Sequence, residues 1–121
     1  MELVYKTVIT NIGKNAKEFF SHNMFITFKG DAPEELIDYC FIHDENVLYT
    51  DIHEKDILKI DGKAFKITAV GEAVNPNLKE LGHITLKFTG EDKANIAGTL
   101  FIESSDIPSI EIGSVIEIVR A

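Results

Sequence analysis

Residues 57–70, ILKIDGKAFKITAV, contain the clearest fold signal in the chain. Ile57–Ile60 and Phe65–Val70 are short β-rich runs with a two-residue alternation, and Asp61-Gly62 stands between them. Because Asp-Gly tolerates the positive φ angles of a tight turn, this stretch predicts a β-hairpin.

Runs of the same kind recur on both sides of this hairpin. They predict further strands at Leu3–Thr10, Met24–Phe28, Ile84–Phe88, Thr99–Ile102 and Ser114–Val119. Helix is scarce: Asn15–Phe20 predicts a turn or two capped by Asn15, and Asp31–Ile37 predicts a short helix with Asp31 as its N-cap. The pattern therefore predicts an all-β fold, a small antiparallel closed or partly closed barrel with one or two short helical turns. A barrel is favoured over a sandwich because closure removes exposed sheet edges.

Length and composition indicate one ordinary globular domain spanning residues 1–121. The chain has 121 residues, of which 45% are hydrophobic and 26% charged, and no apolar run approaches the length of a membrane span. Glu2 lies where a signal peptide would carry cations. The single cysteine, Cys40, cannot form an internal disulfide, which fits a reducing compartment. We therefore expect a cytoplasmic protein without membrane insertion.

The charge of the chain is strongly acidic. Twenty acidic and twelve basic side chains give a net charge of −8. Phosphate repulsion makes such a domain a poor nucleic-acid binder, whereas a basic patch on a protein partner would attract it.

Among four histidines, His43 has the most suggestive setting. It ends the apolar run Tyr39–Ile42 and precedes the polar residues 44–46, where a buried strand emerges into a loop, so His43 is predicted to have a rigid strand behind it and an open face before it. Catalytic groups are often presented in this way. From spacing alone, a strand-end histidine with one structural hydrogen bond is the simpler interpretation. His22 and His53 lie in polar stretches and are predicted to be surface residues.

His83 is the second candidate. It follows Gly82 and opens the strand that runs to Phe88, on the face opposite Ile84 and Leu86. It is either an outward-facing strand residue or a second imidazole that donates a hydrogen bond to whatever His43 carries.

Other chemistries have weaker support in the sequence. Cys40 and His43 form a C-x-x-H half-site, but no second pair at metal spacing exists. Cys40 has apolar neighbours, which raise rather than lower a thiol pKa. No glycine-rich phosphate loop or dinucleotide fingerprint is present. We therefore expect no metal and no cofactor.

The chain resembles a known protein family over nearly its whole length. The motif Tyr39-Cys40-Phe41-Ile42-His43, which follows Ala32–Leu36, is similar to that of the glucitol/sorbitol-specific IIA component of the bacterial phosphoenolpyruvate-dependent sugar phosphotransferase system. The stretches that share this similarity are Tyr5–Gly13, Thr68–Gly71, Asn77–Phe88 and Ile112–Val115.

This resemblance implies a barrel-like fold and a phosphohistidine enzyme component. The histidine that ends the motif is the phosphorylated residue of the family, which corresponds to His43. The family takes the phosphoryl group from the carrier HPr and passes it to the IIB domain of the sugar transporter. For His83 the resemblance implies no role, and its participation is our own hypothesis. Phe41 is expected at the centre of the partner contact.

Two alternatives stay open at this stage. The first is a non-enzymatic β-barrel module that binds a protein partner without covalent chemistry. The second is a small-molecule-binding barrel, which would need a deep apolar cavity. A homodimer is compatible with the β-rich sequence, although no residue requires one.

Overall fold

Nine strands form the framework of the computed structural model, which describes residues 1–121. The strands are β1 Glu2–Ile12, β2 Met24–Lys29, β3 Phe41–His43, β4 Val47–Leu48, β5 Ile57–Ile60, β6 Lys63–Val70, β7 Ile84–Lys87, β8 Thr99–Ile102 and β9 Val115–Arg120. The five strands predicted outside the hairpin are all present, with ends that differ by at most a few residues.

Eight of the strands close into a barrel. Their order is β1-β3-β2-β7-β8-β6-β5-β9, and β9 pairs with β1 to complete the circle, while β4 adds to β1 as a short extra strand. The predicted all-β barrel is confirmed. Two pairings, β2 with β3 and β7 with β8, are nevertheless parallel. The long connections 30–40 and 88–98 cross the barrel, so that β3 begins at the same end as β2 and β8 at the same end as β7.

The predicted hairpin forms between β5 and β6. Asp61 has φ 50° and Gly62 has φ 85°, as a turn with two positive φ angles requires. The Asp61 carboxylate also accepts hydrogen bonds from the Ser114 hydroxyl and the Val115 backbone N–H, both at 2.8 Å. The turn residue thus fastens the hairpin to the start of β9.

Two apolar clusters lie on opposite faces of the barrel wall. The main core includes Phe25 and Phe41, whereas Phe28, Cys40 and Ile42 form a small separate cluster. Since successive strand residues point to opposite faces, Phe41 faces the barrel interior and Ile42 the outside. No pocket is present in the structure, so the deep cavity that a small-molecule-binding barrel needs is missing.

The helical segments differ most from the sequence expectations. Residues Ala16–His22 form a 3₁₀ helix, and the Asn15 side chain makes no capping bond. Helix α1 spans only Glu34–Ile37 with Pro33 in the N-cap position, so the predicted Asp31 cap is wrong. Helix α2, Val74–Leu81, was not predicted, because only Val74, Leu78 and Leu81 mark its apolar face. None of the helices combines the length and the apolarity that a bilayer crossing requires.

Candidate functional site

His43 is the last residue of β3, where it pairs with Ile9 of β1 and Lys29 of β2. It shares the inward face with Phe41, and its exposed fraction is 0%. The expectation of an open face in front of His43 is therefore wrong. The ring points into the end of the barrel, where the connection between α2 and β7 covers it.

Both nitrogens of the His43 ring are hydrogen-bonded. Nε2 lies 2.8 Å from the Gly82 carbonyl oxygen, and Nδ1 lies 2.8 Å from the Thr7 hydroxyl oxygen. A carbonyl oxygen can only accept, so Nε2 carries a proton and donates it. In the neutral ring Nδ1 then has the lone pair and accepts the Thr7 hydroxyl proton. The two partners together define one tautomer.

The surroundings keep this ring uncharged. Burial lowers the pKa of His43, and Lys29 acts in the same direction, while the hydrogen bond to Gly82 and the negative charge of Asp44 oppose them. The net pKa lies below the usual value of the side chain. His43 is therefore a neutral imidazole at neutral pH, which is the form that attacks an electrophile.

Gly82 allows the close approach to the ring. It ends α2 in the left-handed conformation with φ 62°. A Cβ atom at this position would lie 2.7 Å from His43 Cε1 and 2.9 Å from Nε2. The Gly82 carbonyl also accepts a hydrogen bond from the Thr27 hydroxyl at 3.1 Å. Only glycine satisfies both the backbone conformation and the contact.

Asn46 connects the strand side of the site to the helix side. Its side-chain N–H group donates to the Leu78 carbonyl at 2.6 Å, and its side-chain oxygen accepts from the Tyr5 hydroxyl at 2.7 Å. Burial raises the pKa of Tyr5, and the Thr7 side chain opposes this only in part. The phenol therefore stays protonated and donates. β1, the segment after β3 and the end of α2 are thus held together around His43.

His83 lies on the other face of the wall. Its ring stacks on Phe28 with centroids 4.5 Å apart, and its Nδ1 donates to the Thr27 carbonyl at 3.1 Å. The prediction that it faces away from Ile84 and Leu86 is confirmed, since both of those side chains are in the core. No hydrogen bond joins the two imidazoles. His83 is linked to His43 only through Gly82 and Thr27.

The other residues singled out in the sequence are either exposed or fully buried, and none of them contacts a ring nitrogen of His43. His22 and His53 are exposed, as predicted. Cys40 is buried beside Phe28 and Ile42, and burial raises the pKa of its thiol to about 11. Phe41 was expected at a partner contact, but it is fully buried beside Phe20 and Phe25, so that expectation is wrong.

Thr7, Gly82 and Asn46 were missed as site residues. Thr7 is a polar residue among apolar inward-facing neighbours in β1, which was a usable signal. Gly82 follows the apolar spacing of α2, which marks a helix end. Nothing in the sequence places either of them against His43, because the contacts join residues 36 and 39 positions apart.

The chain is similar to several known proteins over most of its length. A family model described as the PTS system glucitol/sorbitol-specific IIA component, where PTS is the sugar phosphotransferase system, matches residues 4–117. The PTS system glucitol/sorbitol-specific EIIA components of Shigella flexneri and Escherichia coli K12 are each 38% identical over 117 residues. The matched region covers 97% of this chain and 95% of those proteins.

A solved structure agrees with the sequence comparisons. The crystal structure of a PTS system IIA component from Enterococcus faecalis V583 superimposes with a TM-score of 0.81 at 27% identity. The superposition covers 95% of this chain and 99% of that one. The shared barrel, the match to residues 4–117 and the 38% identity all agree. The chain therefore belongs to the family of glucitol/sorbitol-specific IIA components of the sugar phosphotransferase system.

Proposed function

We propose that the chain is a cytoplasmic phosphocarrier in sugar uptake. In this proposal His43 accepts a phosphoryl group from phospho-HPr and passes it to the IIB domain of a glucitol/sorbitol transporter. No metal or cofactor takes part, because a phosphohistidine donor is already activated for transfer.

The state of the His43 ring is the observation that supports this function. Phosphoryl transfer depends mainly on aligning the nucleophile and stabilising the phosphoryl oxygens. A neutral ring at the end of a strand, positioned by hydrogen-bond partners on both of its nitrogens, meets the first requirement. An ordinary structural histidine needs only one such bond, whereas both nitrogens of His43 are placed by partners from different elements.

The charge around the site supports a basic partner. Asp44 and Glu45 are exposed directly after His43, and the chain as a whole has a net charge of −8. Complementary charge raises the rate of encounter and makes it sensitive to salt. We therefore expect phosphoryl transfer from phospho-HPr to slow as ionic strength rises.

His83 is proposed as an assisting residue. Its position next to Gly82 and its bond to the Thr27 carbonyl support an indirect effect on the ring of His43. A His83→Ala variant that transfers phosphate at the wild-type rate in both directions would show that His83 is an ordinary surface residue.

The proposal is tested by incubating the protein with phosphoenolpyruvate, enzyme I and HPr. The wild-type chain should gain the mass of one phosphoryl group in an acid-labile form, and His43→Ala should gain none. His53→Ala, which alters an exposed histidine, is the matched control and should label fully. Full labelling of His43→Ala would refute the assignment. Absence of labelling in the wild type would favour the non-enzymatic interaction module.

A second step tests the acceptor. The purified phosphoprotein is mixed with the IIB domain of the transporter, and the label should move to that domain. A phosphoprotein that keeps its label in the presence of folded IIB would contradict the role of a carrier.

A further inference from the structure

The His43 ring cannot react in the arrangement described above. Its exposed fraction is 0%. The lone pair on Nδ1 accepts the Thr7 hydroxyl, and Nε2 carries a proton that points at the Gly82 carbonyl. Neither nitrogen therefore offers a free lone pair to phosphorus, and one of the two contacts must open first.

The two contacts belong to very different parts of the fold. Thr7 lies in the middle of β1, is 1% exposed and pairs with Ile116 of β9. Displacing it would break the barrel wall. Gly82 belongs to no strand: it ends α2, directly after Leu81, which is 43% exposed. Its carbonyl is held by two side chains, Thr27 and His43. Turns held in this way open at lower cost than a strand paired on both edges.

We propose that the turn at Gly82 lifts to free Nε2 as the phosphoryl acceptor, while Thr7 acts as a positioning residue that retains Nδ1. This inference rests on the proposed function of His43. The Thr7 hydroxyl suits this role because it can both donate and accept a hydrogen bond, whereas the Gly82 carbonyl can only accept. Thr7 can therefore hydrogen-bond to either tautomer of the ring. Gly82 can bond only to the tautomer with a proton on Nε2, which cannot react at that nitrogen.

The proton and electron changes of this step are balanced. When the turn lifts, the Nε2 proton passes to water, Nδ1 takes up the proton of the Thr7 hydroxyl, and water returns a proton to that hydroxyl, so the ring stays neutral. Nδ1–H then donates to the Thr7 oxygen. The Nε2 lone pair forms a bond to the phosphorus of the incoming phosphohistidine. The old phosphorus–nitrogen bond breaks at the same time, and its electron pair stays on the imidazole of the donor.

Asn46 is the residue that limits this opening. Its bonds to the Leu78 carbonyl and the Tyr5 hydroxyl tie the last turn of α2 to β1. The movement that frees Nε2 is therefore confined to the residues after Leu78, and the remainder of α2 stays packed through Val74 and Leu78.

The experiment uses the full chain labelled with ¹⁵N in its histidine rings. The His43 signals are identified by their absence in His43→Gln. Before phosphorylation we expect the tautomer with the proton on Nε2. After phosphorylation with phosphoenolpyruvate, enzyme I and HPr, we expect coupling of phosphorus to Nε2 and a proton on Nδ1. Coupling to Nδ1, or a resting proton on Nδ1, would overturn this inference and leave the proposed function intact. Absence of any phosphohistidine at His43 would instead reject the proposed function.

A pair of variants tests the role of Thr7. Thr7→Val keeps the shape but removes the hydroxyl, and the rate of phosphoryl acceptance should fall about tenfold, which corresponds to about one hydrogen bond. Thr7→Ser restores the hydroxyl and should restore the rate. The ring ¹⁵N spectrum of folded, phosphorylated Thr7→Val should show that Nδ1 loses its proton at a lower pH than in the wild type, because no hydroxyl oxygen accepts from Nδ1–H. A wild-type rate in Thr7→Val, or a slow Thr7→Ser with the same thermal stability as the wild type, would contradict a positioning role.

Discussion

His43 and His83 lie on opposite faces of one barrel wall, although Gly82 contacts the first and directly precedes the second. His43 is fully buried with both ring nitrogens bonded. His83 is half-buried, with one bonded nitrogen and its ring stacked on Phe28. The same side chain thus has two different environments because strand alternation sends one ring inward and the other outward. The difference teaches that the face of the strand, more than the residue type, decides which histidine is buried with hydrogen-bond partners on both ring nitrogens.

The largest effect is expected at Gly82, which contacts His43 and directly precedes His83. Gly82→Ala places a Cβ 2.7 Å from His43 Cε1 on a residue with φ 62°. The combined backbone strain and overpacking should lower the free energy of unfolding by about 3 kcal/mol. Gly62→Ala is the matched control, because Gly62 also has a positive φ but no atom within 4 Å, and it should lose only about 1 kcal/mol.

Urea denaturation of both alanine variants measures this difference. Equal losses in Gly82→Ala and Gly62→Ala would mean that the turn moves away from His43 without cost. In that case the close contact between Gly82 and the buried His43 ring would contribute nothing to stability.

A smaller effect is expected from pH. Burial holds the pKa of His43 below its usual value. The positive charge of Lys29 also lowers this pKa, and the negative charge of Asp44 raises it. As the pH falls below about 6.5, His43 takes up a proton in the unfolded chain but stays neutral in the folded chain. Folding stability should therefore decrease toward acid, by at most about 1.4 kcal/mol per pH unit, and His43 should have no such effect above that range.

The pH prediction is measured as the slope of unfolding free energy against pH in wild type and in His43→Gln. The glutamine keeps an N–H donor but does not titrate, so its slope should be shallower between about pH 5 and about pH 6.5. Identical slopes would show that the buried ring of His43 does take up a proton in the folded state.

The smallest effect is expected at His83, on the outer face of the barrel wall. His83→Ala removes the stack on Phe28 and should lower the free energy of unfolding by about 1 kcal/mol. His83→Phe keeps an aromatic ring on Phe28 and should recover most of that loss in a thermal melt. If His83→Phe is as unstable as His83→Ala, the bond to the Thr27 carbonyl is the more important contact.

Much of the barrel was predictable because its signals are local. The hairpin around Asp61-Gly62 follows from two positive φ angles, and Thr99–Ile102 is a strand with the predicted ends. The parallel pairings were not predictable, because they depend on where connections 30–40 and 88–98 return the chain. Helix α2 was missed because Val74, Leu78 and Leu81 are its only apolar markers.

The sequence alone determined which residue to consider, through the apolar run that ends at His43 and through the family motif that contains it. It did not give the inward direction of the ring, since an open face was expected before His43 and Phe41 was expected at a partner contact, whereas both side chains are fully buried. Only the tertiary structure decided that the ring is closed from solvent and has one tautomer. That outcome depends on the Thr7 hydroxyl and the Gly82 carbonyl, each 2.8 Å from a ring nitrogen. These partners come from β1 and from the end of α2. Hydrogen bonds between distant segments form only when the closed barrel brings the segments together, and no local pattern in the sequence encodes them.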